Sequence, residues 1–226
     1  MRTVLIQAGG MGLRVGENIP KQFISVKGKP VILHTLEHFQ NSSYVDAIDI
    51  ACLEGWHREL KTICNTYGIS KVRFISAGGS NIFRSTRMCL EEIYHHNPND
   101  DPLVLIHEAV RPLITEEMIE DSFVVAEEFG NAVACYRAID EIGYLDNRKV
   151  LALSKGSNLF TIQNPHTFRL SKLIWAYNSE NEPYGLQGTA ILMNKLGETL
   201  YCSKGACTCF KITYEEDIHR FELLLG

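Results

Sequence analysis

The sequence predicts one α/β domain over residues 1–226, built on a doubly wound, mostly parallel β-sheet with a projecting β-arm. Strand-like and helix-like segments alternate up to Gly130, and such β-α-β alternation calls for parallel strands joined by crossover helices. The segment Pro102-Leu103-Val104-Leu105-Ile106 is apolar almost without interruption, as a strand covered on both faces must be. The chain of 226 residues is also long enough for one substantial core, since roughly 70% of the unfolded surface becomes buried at this size.

Thr3-Val4-Leu5-Ile6 reads as the first strand and runs straight into a glycine-rich stretch. Pro30 then opens an amphipathic helix in which Ile32, Leu33, Leu36 and Phe39 share one face, proline being acceptable in a first turn. A strand over 47–53, a helix over 56–67 and a strand over 72–75 follow, ending at Gly78-Gly79. A helix over 82–95 leads to the apolar strand at 102–106. Thr115 is a suitable N-cap, Glu116 and Glu117 suit the positive end of the next helix, and Gly130 suits its stop.

The rhythm changes after Asn131. Short strands around the turn-prone Gly143, Asp146-Asn147 and Gly156-Ser157 predict the β-arm, at about 136–158. The chain returns through Gln163-Asn164-Pro165-His166, then a helix over 170–177, a polar loop, a helix over 187–195, a strand over 209–213 and a helix over 214–225.

Composition excludes several classes of function. The chain carries 22 Lys and Arg against 27 Asp and Glu, with no basic stripe for nucleic acid or an anionic membrane. No apolar run approaches the roughly 18 residues that cross a bilayer. Val4-Leu5-Ile6 is shorter than the apolar region of a secretory signal, so a cytoplasmic location is expected. The seven cysteines are odd in number and scattered, and do not read as a disulfide framework. Cys52, Cys64, Cys89 and Cys135 read as small buried apolar residues, and Cys202, Cys207 and Cys209 lack paired metal-ligand spacing.

The chemistry concentrates at the N-terminus. Ala8, Gly9, Gly10 and Gly12 directly follow a strand, where exposed backbone N–H groups can cradle phosphate. The glycines alone fit an ordinary tight turn equally well; no Walker Gly-Lys-Ser/Thr follows, and the spacing is not that of the dinucleotide fingerprint. Arg14 and Lys21 border the same loop. Unless they are simply solvated surface charges, they equip it for a triphosphate and for charge developing at the α-phosphorus.

These residues also carry a resemblance. Gln7-Ala8-Gly9-Gly10-Met11-Gly12-Leu13-Arg14-Val15-Gly16, followed by Ile19-Pro20-Lys21-Gln22-Phe23, resembles the signature loop of the cytidylyltransferases that act on methylerythritol phosphate and ribitol phosphate. Gly78-Gly79 with Ser85, His107-Glu108-Ala109-Val110-Arg111-Pro112, Gln163-Asn164-Pro165-His166-Thr167-Phe168 and Phe210-Lys211-Ile212-Thr213-Tyr214-Glu215-Glu216-Asp217 resemble further family segments, in order. The resemblance implies a Rossmann-like nucleotidyltransferase fold. It also implies attack of a substrate phosphate on the α-phosphorus of CTP, release of pyrophosphate, a requirement for Mg²⁺ and a homodimer embraced by the β-arm.

By the same resemblance Arg14, Lys21 and Lys211 form the catalytic set, Lys211 lying at the phosphate pocket. Ala8, Gly9, Gly10, Gly12, Gly79, Ser85 and Glu108 would hold the nucleotide, with Glu108 also the metal ligand where the family has Asp. Arg111, Asp140, Lys155 and Asn164 would face the acceptor. That side departs from the family pattern: Asp140-Glu141 replaces Asp-Thr, the arm arginine falls at Gly156 with only Lys155 adjacent, Asn164 replaces a threonine, and Gln187-Gly188-Thr189 replaces an acidic segment. Lysine cannot reproduce the two-pronged grip of arginine on phosphate. The expected acceptor is therefore a ribitol 5-phosphate or glycerol phosphate type of polyol phosphate. The alternatives are methylerythritol phosphate and a catalytically inactive nucleotide-binding homologue.

Overall fold

The structure is a computed structural model describing residues 1–10, 19–79, 81–154, 156, 158–179 and 188–226. β1 (Arg2–Ala8) is followed by a 3-10 turn (Lys21–Phe23), the small hairpin β2 (Ser25–Val26) and β3 (Lys29–Pro30), and α1 (Val31–Asn41). β4 (Ala47–Cys52), α2 (His57–Thr66), β5 (Val72–Ala77), α3 (Ile82–His96), β6 (Leu103–Glu108) and α4 (Glu116–Phe129) complete the alternating part. β7 (Asn131–Arg137), β8 (Ile142–Asp146), β9 (Lys149–Ser154) and β10 (Phe160–Arg169) come next, then α5 (Leu170–Ser179), α6 (Thr189–Lys195), β11 (Cys202–Lys204) and α7 (Glu215–Leu224).

The main sheet has the order β11-β7-β10-β6-β1-β4-β5. Only β10 runs against its neighbours, β6 and β7; the remaining pairings are parallel. Period-two alternation divides the apolar strands between two cores. Leu103 and Leu105 of β6 join Phe39 of α1, Leu60 of α2 and Phe123 of α4 on one face. Val104 and Ile106 join Leu90 of α3, Leu173 of α5 and Met193 of α6 on the other. Thr115 caps α4 by accepting from the Met118 N–H, and Gly130 ends it at φ 89°, a conformation that glycine adopts without penalty.

This topology places the site. The chain steps outward from β1 to β4 and β5, then crosses back to β6 on the other side of β1. The crevice at the carboxyl ends of β1 and β6 is the switch point where open α/β sheets bind ligands. There Gln7 of β1 is the register partner of Glu108 of β6.

Several expectations need correction. Residues 209–213 form no strand: their backbone groups bond to side chains, to Ala206 and to Val110, and the strand at that edge of the sheet is β11. Gln163-Asn164-Pro165-His166 lies inside β10, at an irregularity in its pairing with β7, and Gly143 lies within β8 rather than at a turn. β7 belongs to the main sheet, so the arm proper is the separate β8–β9 hairpin, whose turn is at Asn147 with φ 52°. Cys135 and Cys202 are a pair rather than isolated thiols. They sit on adjacent strands with Cα atoms 5.9 Å apart, within disulfide reach, because β11 returns beside β7.

Candidate active site

The first two glycine segments meet because side chains draw their backbones together. Gln22 Nε2 donates to the carbonyls of Ala8 (2.7 Å) and Gly10 (3.0 Å), holding the start of the loop after β1. Ser85, in the first turn of α3, accepts from the Gly79 N–H at 2.9 Å and donates to the Asn81 carbonyl at 2.8 Å. A Cβ on Gly79 would lie 2.5 Å from Cβ of Arg84, and one on Gly9 would lie 3.0 Å from Ser85 Oγ. Glycine is what allows these two backbones to approach α3 so closely.

A charged group lies beside this pair. Glu108 is 9% exposed at the end of β6. Its Oε2 accepts from Arg111 Nε at 2.7 Å, and its Oε1 pairs with Lys211 Nζ. Burial alone would push the carboxyl up, but the charges of Lys211 and Arg111 outweigh it and hold the group down at about 2. His107, on the opposite face of β6, is fully buried; burial pushes it down to about 3, so it is neutral. Its Nε2–H donates to the Arg111 carbonyl at 3.0 Å, fixing the turn that carries Arg111.

Residues 209–212 join this group to Lys21. Arg111 Nη1 donates to the Cys209 carbonyl (2.9 Å), Lys211 reaches Glu108, and Lys21 Nζ donates to the Ile212 carbonyl (2.7 Å). Lys21 is only 8% exposed, so it is no solvated surface charge. An ammonium so placed requires compensating acceptors. Three cations and one carboxylate are thus organised about a four-residue stretch of backbone, an arrangement suited to polyanions.

Ala8, Gly9, Gly10, Lys21, Gly79, Ser85, Glu108, Arg111 and Lys211 are therefore carried by the ends of β1, β5 and β6, the 3-10 turn, the first turn of α3 and the stretches after β6 and at 209–212. Asn164 reaches the same strand, donating to the Ile106 carbonyl at 3.2 Å. Asp140 lies on the exposed link to the β8–β9 hairpin, and no hydrogen bond or ion pair joins it to Glu108 among the described residues. Gly12, Arg14, Lys155 and Gln187 lie outside the described residues. Sequence reasoning missed the parts of Gln22 and Gln163. In the sequence both appear only as members of the family-like segments; the fold shows them buried, at 1% and 5% exposure. Gln163 uses both ends of its amide, accepting from the Ala206 N–H and donating to the Cys209 carbonyl.

Among the described residues no three His, Cys, Asp or Glu side chains are grouped to hold a metal ion. Among the described residues Glu108 alone supplies a carboxylate here. Mg²⁺ needs no more than one or two protein carboxylates when substrate phosphates complete its shell, so this donor set fits an ion that arrives with a nucleotide.

Known proteins resemble the chain along nearly its whole length. The family model for 2-C-methyl-D-erythritol 4-phosphate cytidylyltransferase matches residues 2–226. The chain is 31% identical over 230 residues to a ribitol-5-phosphate cytidylyltransferase of Lacticaseibacillus paracasei, covering 100% of this chain and 98% of that one. It is 33% identical over 220 residues to a 2-C-methyl-D-erythritol 4-phosphate cytidylyltransferase of Alkaliphilus oremlandii, covering 96% and 91%. In fold it is similar to the 4-diphosphocytidyl-2C-methyl-D-erythritol synthase of Anaerococcus prevotii, with a TM-score of 0.84, 22% identity and coverage of 100% and 96%.

Proposed function

This chain belongs to the 2-C-methyl-D-erythritol 4-phosphate cytidylyltransferase family, and within it we propose that the protein transfers CMP from CTP to a polyol phosphate of ribitol 5-phosphate or glycerol phosphate type. An oxygen of the acceptor phosphate bonds to the α-phosphorus, the bond from that phosphorus to the bridging oxygen of the β-phosphate breaks, and pyrophosphate leaves. In-line displacement of this kind inverts the α-phosphorus.

The observation that carries the reading is Lys21, an ammonium held at 8% exposure beside the glycine loop. From there it meets charge building on the α-phosphoryl oxygens, a role that needs a fixed cation rather than a new covalent bond. Arg14 is assigned to the same phosphates by its place in the loop. Ala8, Gly9, Gly10, Gly12, Gly79 and Ser85 are assigned to cytosine and ribose, and Arg111 and Lys211 to the acceptor phosphate, with Asp140, Lys155 and Asn164 beside it. Glu108 keeps the two acceptor-side cations in place and is the carboxylate for Mg²⁺, which would neutralise triphosphate charge. Use of CTP accords with the cytoplasmic location expected from the sequence.

The arm supports a homodimer. Ile139, Tyr144, Leu151 and Leu153 are all more than half exposed on the β8–β9 hairpin and its link. Apolar groups this prominent on a two-stranded excursion suit burial against a second copy.

The test is pyrophosphate release that depends on both CTP and an acceptor. CTP binding with no release on ribitol 5-phosphate, glycerol phosphate or methylerythritol phosphate would contradict the reading and favour a silent nucleotide-binding homologue. Methylerythritol phosphate remains the second reading, favoured by the likeness to the Alkaliphilus oremlandii enzyme of that specificity.

A further inference from the structure

Gln163 sits on β10 opposite Ala134 of β7, where the β10–β7 register shifts. Its amide is engaged at both ends: Oε1 accepts from the Ala206 N–H at 2.8 Å, and Nε2 donates to the Cys209 carbonyl at 3.1 Å. That carbonyl accepts a second bond at 2.9 Å, from Arg111 Nη1. The guanidinium is held again at Nε by Glu108, at 2.7 Å, which leaves Nη2 without a partner among the described residues. Two fixed points determine the plane of a guanidinium and hence the direction of its remaining donors.

The segment bearing Cys209 has no strand partner among the described residues, so this side-chain amide does the work that a ladder does elsewhere. Gly205 allows the approach: a Cβ there would lie 2.8 Å from Gln163 Oε1 and 2.8 Å from the Cys135 carbonyl carbon. The turn is closed by the Cys209 N–H donating to the Ala206 carbonyl at 3.0 Å, so both ends of the Gln163 amide grip a single turn.

We propose that Gln163 is a positioning residue for the acceptor phosphate: by holding the Cys209 carbonyl against Arg111 Nη1, it aims the free edge of the guanidinium into the pocket. The inference rests on the assignment of Arg111 to the acceptor. Gln163 touches no substrate itself. It acts through Arg111, and its effect falls on the acceptor and not on CTP, whose loop is anchored separately by Gln22 and Ser85.

The experiment compares the full-length protein with Gln163→Met, which keeps side-chain length and removes both bonds, and with Gln163→Glu, which keeps the acceptor for Ala206 but, when ionised, cannot donate to Cys209. Steady-state kinetics are paired with calorimetric binding of ribitol 5-phosphate, and melting temperature establishes that each variant is folded. The expected result in both variants is an acceptor KM and Kd raised fivefold or more, with the KM for CTP within twofold of wild type. A folded variant with unchanged acceptor affinity overturns the proposal, as does an equal rise in both KM values, which is what loosened structure alone produces. Should Gln163→Met fail to fold, the nearly isosteric Gln163→Glu decides. Wild type that binds the polyol phosphate without turnover refutes the functional reading and leaves the affinity comparison to judge Gln163. Absence of binding refutes both.

Discussion

The Lys21 ammonium donates to the backbone carbonyl of Ile212 at 2.7 Å, although 191 positions separate the two residues. Three residues earlier, the Cys209 carbonyl holds Arg111. The cation assigned to the nucleotide and a cation assigned to the acceptor are therefore spaced by one short stretch of chain. A two-substrate transfer requires such fixed spacing, because small errors in the approach of the reacting groups are costly.

Lys21→Ala is expected to lower kcat by about 10²–10³, the usual effect of losing one preorganised contact to transition-state charge. Lys21→Met preserves the buried stem and should show the same loss with a smaller change in melting temperature. Stopped assays of pyrophosphate together with thermal melts check both, and turnover near the wild-type rate in either variant would remove Lys21 from its role.

Gly79→Ala and Gly10→Ala should differ in their effect on stability. A methyl group at Gly79 would lie 2.5 Å from Arg84 Cβ and 3.1 Å from backbone atoms of Arg84 and Ser85, whereas one at Gly10 meets nothing within 4 Å among the described residues. Gly79→Ala is expected to displace the start of α3, lower the melting temperature by several degrees and raise the KM for CTP. Gly10→Ala should melt close to wild type. Equal melting temperatures for all three proteins would contradict the packing described at α3.

Acid should destabilise the fold in two overlapping windows. His107 and His166 are buried, and burial lowers them from 6.5 to about 3 and about 4. The unfolded chain thus takes up protons first, so stability present above pH 6.5 is lost as pH falls toward those values. Burial tends to raise Glu108, but Lys211 and Arg111 bring it from 4.5 to about 2, so its contribution is present above pH 4.5 and lost as pH falls toward 2. Melting temperature against pH should be level near neutrality, decline below about 6.5, and decline less between 6.5 and 4 in His166→Gln. A decline in His166→Gln as steep as in wild type would contradict the account of that histidine.

Leu153→Asp places a charge on one of the most exposed apolar positions of the hairpin, where Leu153 is 64% exposed. If the arm binds a second copy, wild type scatters light as a dimer at micromolar concentration and the variant as a monomer, with the melting temperature of the main domain little changed. A monomeric wild type would remove the proposed role of the arm.

Much of this was legible in the sequence because the signals were local. Apolar periodicity placed the alternating elements through α4, and Thr115 and Gly130 marked the ends of that helix. The loop after β1, Lys21 and the His107–Pro112 segment could be singled out as chemical from residue types and resemblance. What escaped depends on long-range partners. Whether 209–213 pairs as a strand or is gripped by Arg111, Gln163 and Lys21 is decided by segments far away in the chain. The pairing of Cys135 with Cys202 likewise exists only because β11 returns beside β7. Gln163 reads as one letter of a motif until its two amide bonds to the 206–209 turn are seen.

The central claim is transfer of CMP to a polyol phosphate other than methylerythritol phosphate, and the ratio of kcat/KM values measures that preference directly. With CTP saturating and Mg²⁺ present, pyrophosphate release is measured for ribitol 5-phosphate, glycerol phosphate and methylerythritol phosphate. The account predicts that kcat/KM for one of the first two exceeds that for methylerythritol phosphate by about tenfold or more, a difference of about 1.4 kcal/mol. A preference of that size for methylerythritol phosphate would contradict it.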